Sequence, residues 1–407
     1  MPIKIQQKKY FYHLLENGLS NDDLNEGIKV LKSKFITMNK HTLNFEKEFA
    51  KKLGAKYALM VNSGSSANLL AAFASCNPAR KNRFRRGDEV LIPVLCWPTS
   101  LWPLVQTGLR PKFIDINIKT LNVDADKIIK AISKKTKVIM LVNVLGISTD
   151  VQKVVNYAKK KKIIVIEDNC EALGAKLKNK YLGTMGDFGT FSFFYSHQIT
   201  CGEGGMITCN NKNDYKLLIS LRSHGWTKDK RLYSEYAKKY PNIDPRYIFV
   251  NEGFNLRPTD IQAAIARNQF NKLSKFIKDR NSNKSMIIKK LKSSPKWNNQ
   301  FNFVEVPKDI KPSYMGLAII LNKKYKSKKK KFIEFLEHKG IETRPILSGP
   351  FTNQPSTKLF NLNQNNKKFP ECQTVQDLGF LIGLNSKKIQ IKKLNFVVDN
   401  MLKIDSL

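Results

Sequence analysis

Acidic residues are scarce in this chain. Only 33 Asp and Glu stand against 71 Lys and Arg, giving a formal net charge of +38 over 407 residues. Histidine (5) and cysteine (6) are scarcer still. The cysteines are Cys76, Cys96, Cys170, Cys201, Cys209 and Cys372. They show no paired zinc spacing and no disulfide framework, so no metal site is expected. No apolar run is long enough to cross a bilayer, and the run at 138–145 has only strand length. The first ten residues lack the apolar core of a secretion signal. A soluble, cytoplasmic protein is the expectation.

What is present is an ordinary globular composition, 42% hydrophobic, in a chain long enough for one large domain and a smaller one. The positive charge could be the footprint of a nucleic-acid binder. The lysines, however, are spread along the whole chain, with short runs at 159–162 and 328–331. Lys, Asn and Ile are abundant together, as a biased base composition would produce. No RNA- or DNA-binding signature accompanies them. A solvated basic surface is expected, with neither nucleic acid nor membrane as partner.

The first fifty residues read as mostly helical, with Phe45, Phe49 and Leu53 recurring on one face. Short apolar runs at 57–61, 90–95, 112–116, 138–145 and 163–166 then alternate with helical patterns. Such strands, buried on both faces, indicate a parallel or mostly parallel α/β sheet. Val151, Val154, Val155 and Ala158 mark a crossover helix at 151–161. The stretch 228–251 is polar and aromatic without clear period and is expected to be a surface excursion. A helix starts near Thr259 or Asp260, and beyond about residue 270 the pattern changes to lysine-rich helices and short strands such as 313–321.

Three segments carry chemistry. In Asn62-Ser-Gly-Ser-Ser-Ala-Asn68, a strand passes through Gly64 into an apolar helix. Free N–H groups of Ser65 and Ser66, with the helix dipole, would bind a phosphate, although a plain serine cap accounts for the same residues. Ile163-Ile-Val-Ile-Glu-Asp168 is a buried strand ending in acid, at the edge where open α/β sheets bind ligands. A carboxylate there is costly unless paired. The third segment, Gly189-Thr-Phe-Ser-Phe-Phe-Tyr-Ser-His-Gln-Ile-Thr-Cys-Gly-Glu-Gly-Gly205, joins a strand to a glycine-rich turn and carries Ser192 and His197.

From about Phe45 to the end of the chain, these motifs together resemble the DegT/DnrJ/EryC1/StrS sugar aminotransferases, vitamin B6-dependent enzymes of fold type I. The resemblance implies a large domain (1–265) built on a mainly parallel seven-stranded sheet and a smaller C-terminal α/β domain (266–407). It implies that Gly64, Ser65, Ser66 and Ser192 hold the cofactor phosphate, that Asp168 pairs with the ring nitrogen, and that Trp97 stacks on the ring. Glu171 would lie near the ring hydroxyl. Asn255 would reach the phosphate of a neighbouring subunit, making a homodimer with a shared active site. Arg344, in Glu342-Thr-Arg-Pro-Ile-Leu-Ser-Gly-Pro-Phe-Thr-Asn-Gln-Pro355, is a candidate contact for substrate phosphate or donor carboxylate, or simply a surface arginine.

His197 stands where that family has a lysine bonded to the cofactor aldehyde. A histidine cannot form that bond, but it can move protons near neutral pH. In this respect the chain is similar to the branch that removes the C3 hydroxyl of nucleotide-linked 4-keto-6-deoxyhexoses. The resemblance then implies pyridoxal or pyridoxamine phosphate held noncovalently and L-glutamate as amino donor, yielding 2-oxoglutarate. It also implies a place in deoxysugar and surface polysaccharide synthesis. A related branch carries an iron–sulfur cluster; the closely spaced cysteines it needs are absent between Cys209 and Cys372, so none is expected. Three other readings stay open: a nucleotide-sugar aminotransferase that tolerates histidine, a noncatalytic sugar- or cofactor-binding relative, and a basic nucleic-acid-associated protein, although no appended DNA-binding domain is visible.

Overall fold

The computed structural model describes residues 10–407 apart from Asn17 and Asn363. Helices α1 (Asn21–Lys32) and α2 (Lys40–Leu53) precede the sheet. Then β1 (Tyr57–Val61), α3 (Gly64–Cys76), β2 (Glu89–Pro93), α4 (Pro98–Gln106), β3 (Arg110–Ile114), α5 (Ala125–Ala131), β4 (Thr136–Val142), α6 (Val151–Lys160) and β5 (Ile164–Asp168) alternate regularly. The two-residue strands β6 (Lys176–Leu177) and β7 (Lys180–Tyr181) follow, then β8 (Phe188–Ser192) and β9 (Gly205–Cys209). Seven strands form one sheet in the order β1-β9-β8-β5-β4-β2-β3. β9 runs antiparallel to β1 and β8, while the remaining neighbours pair in parallel. All five residues of β5 and of β8 are buried, as a strand covered by helices on both faces requires.

The phenylalanine pattern of β8 shows how sequence aims side chains here. Successive strand residues face opposite ways. Phe191 and Phe193 therefore point together into a cluster with Phe45 and Phe49 of α2 and Phe270, while Ser192 between them faces the other side. Burying each such ring contributes about 2–3 kcal/mol, which fixes the register of the strand that presents Ser192.

After α7 (Lys212–Arg222), the 228–251 segment carries short elements: Asp229 caps a helix, α8 (Lys230–Lys239), with only Leu232 buried, and a 3-10 turn spans Pro245–Tyr247. Local caps, rather than hydrophobic period, determine these elements. Thr259 and Gln262 form a capping box at the start of α9 (Asp260–Lys292), where Asp260 also accepts from the N–H groups of Asn39, His41 and Thr42 at the start of α2. The boundary expected at 265 thus falls inside an unbroken helix. Beyond it, β10 (Phe301–Phe303), β12 (Gly316–Leu321), β14 (Gly379–Gly383) and β13 (Thr343–Arg344) form an antiparallel sheet in that order, and β11 (Ile310–Lys311) pairs with β6.

Residues 10–16 are not helical. They lie against this second sheet, with Tyr12 bridging to Ile341 and donating from its hydroxyl to the Gly383 carbonyl at 2.8 Å. The strand expected at 138–145 stops at Val142, because 144–146 forms a tight turn with Leu145 at φ 53°. No helix among the described residues is long and apolar enough to cross a membrane.

Candidate active site

The carboxyl ends of β1 and β8 flank the start of β9, with Val61 and Ser192 both opposite Gly205. Space there is minimal. A Cβ on Gly205 would lie 2.3 Å from the Ser63 carbonyl, and one on Gly64 would lie 2.5 Å from Ser192 Cβ and 2.9 Å from Cys170 Sγ. Glycine at 64 and 205 therefore lets the 62–66 turn sit directly beside Ser192. Ser63 caps α3 by accepting from the N–H of Ser66 at 3.0 Å, and Ser66 Oγ donates to Asn62 Oδ1 at 2.5 Å. The N–H of Ser66 is thus already committed, contrary to the expectation that it is free. The free pair is instead Gly64 and Ser65, whose N–H groups, first in the helix, have no intrahelical acceptor and sit at the positive end of its dipole.

Asp168 ends β5 almost completely buried. Its Oδ2 accepts from Asn68 Nδ2 at 2.8 Å and Ser100 Oγ at 2.7 Å; Oδ1 accepts from the N–H of Cys170 at 3.0 Å. Three hydrogen bonds to a charged acceptor, about 1.5–3 kcal/mol each, offset a desolvation cost of several kcal/mol. The Cys170 thiol also hydrogen-bonds this carboxylate. Asn68 is held in turn by Thr190 Oγ1 at 2.6 Å. Strand alternation sends the preceding Glu167 to the opposite side, where it accepts from the N–H groups of Gly183, Met185 and Gly186.

Glu171 is partly exposed and accepts from the N–H of Leu145 at 2.9 Å. That N–H is aimed by the left-handed conformation of Leu145, which costs a non-glycine residue about 1–2 kcal/mol. Burial pushes the Glu171 carboxyl up to about 7, with the Leu145 bond opposing and the charge of Asp168 adding. Burial likewise holds the Cys170 thiol well above its usual range, so it stays protonated.

His197 lies in the turn after β8, its N–H donating to the Phe194 carbonyl at 3.1 Å. Burial lowers its imidazole to about 4; the backbone of Cys170 and the charge of Asp168 oppose this, and the charge of Arg280 adds to it. The ring is neutral at neutral pH and can accept a proton. Its Nδ1 is buried and has no hydrogen-bond partner among the described residues. The backbone around it is fastened from two sides. Gln198 Nε2 donates to the carbonyls of Glu171 and Ser313, and the buried Arg280 of α9 donates to the carbonyls of Gln198 (2.9 Å), His197 (3.3 Å) and Leu384 (3.1 Å).

Trp97 precedes α4, whose first turn carries Ser100 to Asp168, and the indole side chain is 56% exposed. Asn255 is on the surface, yet the next residue, Leu256, accepts from the N–H of Asn62, so its segment borders the 62–66 turn. Arg344 is also exposed and pairs with Glu342 at 2.8 Å. The neighbouring segment does reach the site region: Phe351 N–H donates to the Val94 carbonyl and Ser348 Oγ to that of Cys96, beside Trp97. The structure thus brings Gly64, Ser65, Ser192, Asp168, Glu171 and His197 together through contacting elements, while among the described residues no hydrogen bond or ion pair links Arg344 to them. A separate cavity of about 930 Å³, lined by Arg80, Lys159 and Asp187 among others, lies at the amino ends of β5 and β8 and contains none of these residues.

Sequence reasoning missed Asn68, Ser100, Gln198 and Arg280. Asn68 closes the very turn motif that was singled out and Gln198 adjoins His197, so both had a local signal. Ser100 and Arg280 act across long sequence separations and had none.

The profile of the DegT/DnrJ/EryC1/StrS aminotransferase family matches residues 18–392. GDP-4-keto-6-deoxy-D-mannose 3-dehydratase of Escherichia coli O55:H7 is 38% identical over 341 residues, 83% of this chain and 86% of the relative. The solved E. coli GDP-4-keto-6-deoxy-D-mannose-3-dehydratase with bound hydrated PLP aligns with a TM-score of 0.88 at 31% identity, covering 96% of this chain and 99% of that one. A second structure of GDP-4-keto-6-deoxymannose-3-dehydratase, with a trapped PLP-glutamate geminal diamine, gives 0.86 at 31% identity over 96% and 99%. The fold is that of the pyridoxal phosphate-dependent aminotransferases, and this chain belongs to the DegT/DnrJ/EryC1/StrS aminotransferase family.

Proposed function

We propose that this protein is a pyridoxamine phosphate-dependent dehydratase that removes the C3 hydroxyl of a nucleotide-linked 4-keto-6-deoxyhexose, with a GDP-linked sugar as the first candidate. The observation that carries this reading is a neutral His197, with an unpartnered Nδ1, in the turn where the family's aminotransferases place a bonded lysine. Two features fit the cofactor. They are the Gly64 and Ser65 N–H groups at the start of α3, set directly beside Ser192, and that Nδ1.

When bound, the cofactor supplies an amine that condenses with the sugar ketone and a ring that takes up electrons. The chain does the rest. The N–H groups of Gly64 and Ser65 and the hydroxyl of Ser192 hold the phosphate, with Ser66 bracing the turn. Asp168 keeps the ring nitrogen protonated, Trp97 covers the ring, and Glu171 hydrogen-bonds the ring hydroxyl. His197 accepts a proton and returns one to the departing C3 hydroxyl. Arg344 contacts substrate phosphate or donor carboxylate once its pair with Glu342 opens.

L-glutamate is the proposed amino donor; the PLP–glutamate adduct in the similar enzyme supports it. We also propose a cytoplasmic homodimer in which Asn255 reaches the partner's cofactor phosphate. The exposed apolar stripe Leu24, Ile28, Leu31 and Phe35 on and after α1 supports such an interface. The test is the absorbance spectrum with pyridoxal phosphate before and after glutamate. A free-aldehyde spectrum that bleaches to the amine form supports the reading, and a protein that binds no cofactor overturns it.

A further inference from the structure

We propose that Arg280 is a positioning residue for proton transfer, fixing His197 by gripping the carbonyls of its turn. This rests on the reading of His197 as the proton-transfer group. Arg280 is 2% exposed and its pairing is unusual. A buried guanidinium normally sits against a carboxylate, as Arg222 does against Glu46 at 2.8 Å. Arg280 has no ion pair among the described residues and spends its donors on three backbone carbonyls instead.

Two of those carbonyls belong to consecutive residues, His197 and Gln198, and the third to Leu384, just after β14 of the second sheet. A planar fork bonding both carbonyls fixes the two peptide planes on either side of the Gln198 Cα, which a single-point ammonium could not do. The grip therefore ties three elements to one point: the His197 turn, α9, and the end of β14. It also places a positive charge near the imidazole. The groups that face His197 are Asp168 on β5, the Cys170 backbone and Arg280, with Phe194 edge-on at 6.1 Å. Only Arg280 among them both fixes the backbone of His197 and opposes its protonation.

The test combines Arg280→Met and Arg280→Lys with two readouts. The first is a histidine-selective NMR titration of the cofactor-free protein, with His197→Asn assigning the resonance. In wild type His197 should titrate below the other histidines. In Arg280→Met it should move up by roughly 1 pH unit, as the charge leaves and water enters the turn. The second is steady-state turnover of GDP-4-keto-6-deoxymannose. The Met variant should lose on the order of 10- to 100-fold in kcat with KM within about twofold, and the Lys variant should recover part of that loss.

If the Met variant does not fold, the Lys variant alone should show lowered kcat with KM kept. A lowered melting temperature with unchanged His197 titration and unchanged kcat per folded enzyme would overturn the proposal and leave Arg280 a packing residue. Absence of turnover in wild type would instead count against the functional reading, while the titration still decides the role of Arg280.

Discussion

Gly64 and Ser192 are so close that a Cβ on Gly64 would lie 2.5 Å from Ser192 Cβ. Gly64→Ala should therefore push apart the two elements assigned to the cofactor phosphate. Overpacking of this kind costs about 1–3 kcal/mol. We expect a folded protein with a lower melting temperature and cofactor affinity reduced at least about tenfold, about 1.4 kcal/mol. Titration of pyridoxal phosphate by absorbance measures it; unchanged affinity would show that this contact does not shape the site.

Asp168 depends on two neutral donors, Asn68 and Ser100. Asn68→Ala also removes the nearer acceptor of Thr190, Asn68 Oδ1 at 2.6 Å, leaving it the Glu167 carbonyl at 3.4 Å. Each truncation should leave the fold intact but loosen the carboxylate, lowering cofactor affinity by about 1–2 kcal/mol, with Asn68→Ala the more severe. Isothermal titration checks the order. If Ser100→Ala proves worse, the Thr190 link is dispensable.

Burial moves two groups in opposite directions, Glu171 from 4.5 up to about 7 and His197 from 6.5 down to about 4. Between 4.5 and about 7, folded Glu171 keeps a proton that the unfolded chain has released, so its contribution makes stability fall as pH rises. Between about 4 and 6.5, the unfolded chain binds a proton that folded His197 does not, so its contribution makes stability rise with pH. The two slopes oppose each other where the windows overlap. Glu171→Gln should unmask the rising slope and His197→Asn the falling one, read as melting temperature against pH on cofactor-free protein. Parallel curves for all three proteins would refute the pairing.

His197→Lys restores an amine in the same turn. We expect the cofactor to become covalently attached, surviving denaturing dialysis after borohydride reduction, and dehydration to fall by at least about 100-fold, the low end of what a general acid–base group supplies. Retained dehydration would mean that His197 is not the proton carrier.

Much of this architecture was legible because it follows from local rules. β1 was read at its observed ends because its apolar run is bounded by Gly54 and the 62–66 turn, and α6 because Val151, Val154 and Ala158 share a buried face. Other features lie outside any local pattern. The docking of residues 10–16 on the second sheet depends on partners over 300 residues away, such as Tyr12 with Gly383. The cap at Ser63 is visible as a serine, but which N–H it takes is a matter of geometry, and so the sequence alone shows Ser66 as free. Asp168 could be placed at a strand end; that Asn68 and Ser100 hold it could not, since several other polar residues are equally suited in type. Arg280 gives no local sign, because in a helix crowded with basic residues only burial distinguishes it.

The most direct test of the account is product analysis with GDP-4-keto-6-deoxymannose, glutamate and pyridoxal phosphate, with ammonia measured alongside the sugar. The account expects a sugar lacking the C3 hydroxyl, one ammonia released per sugar converted, and loss of both in His197→Asn. An amino sugar formed without release of ammonia would contradict it and make the enzyme an aminotransferase.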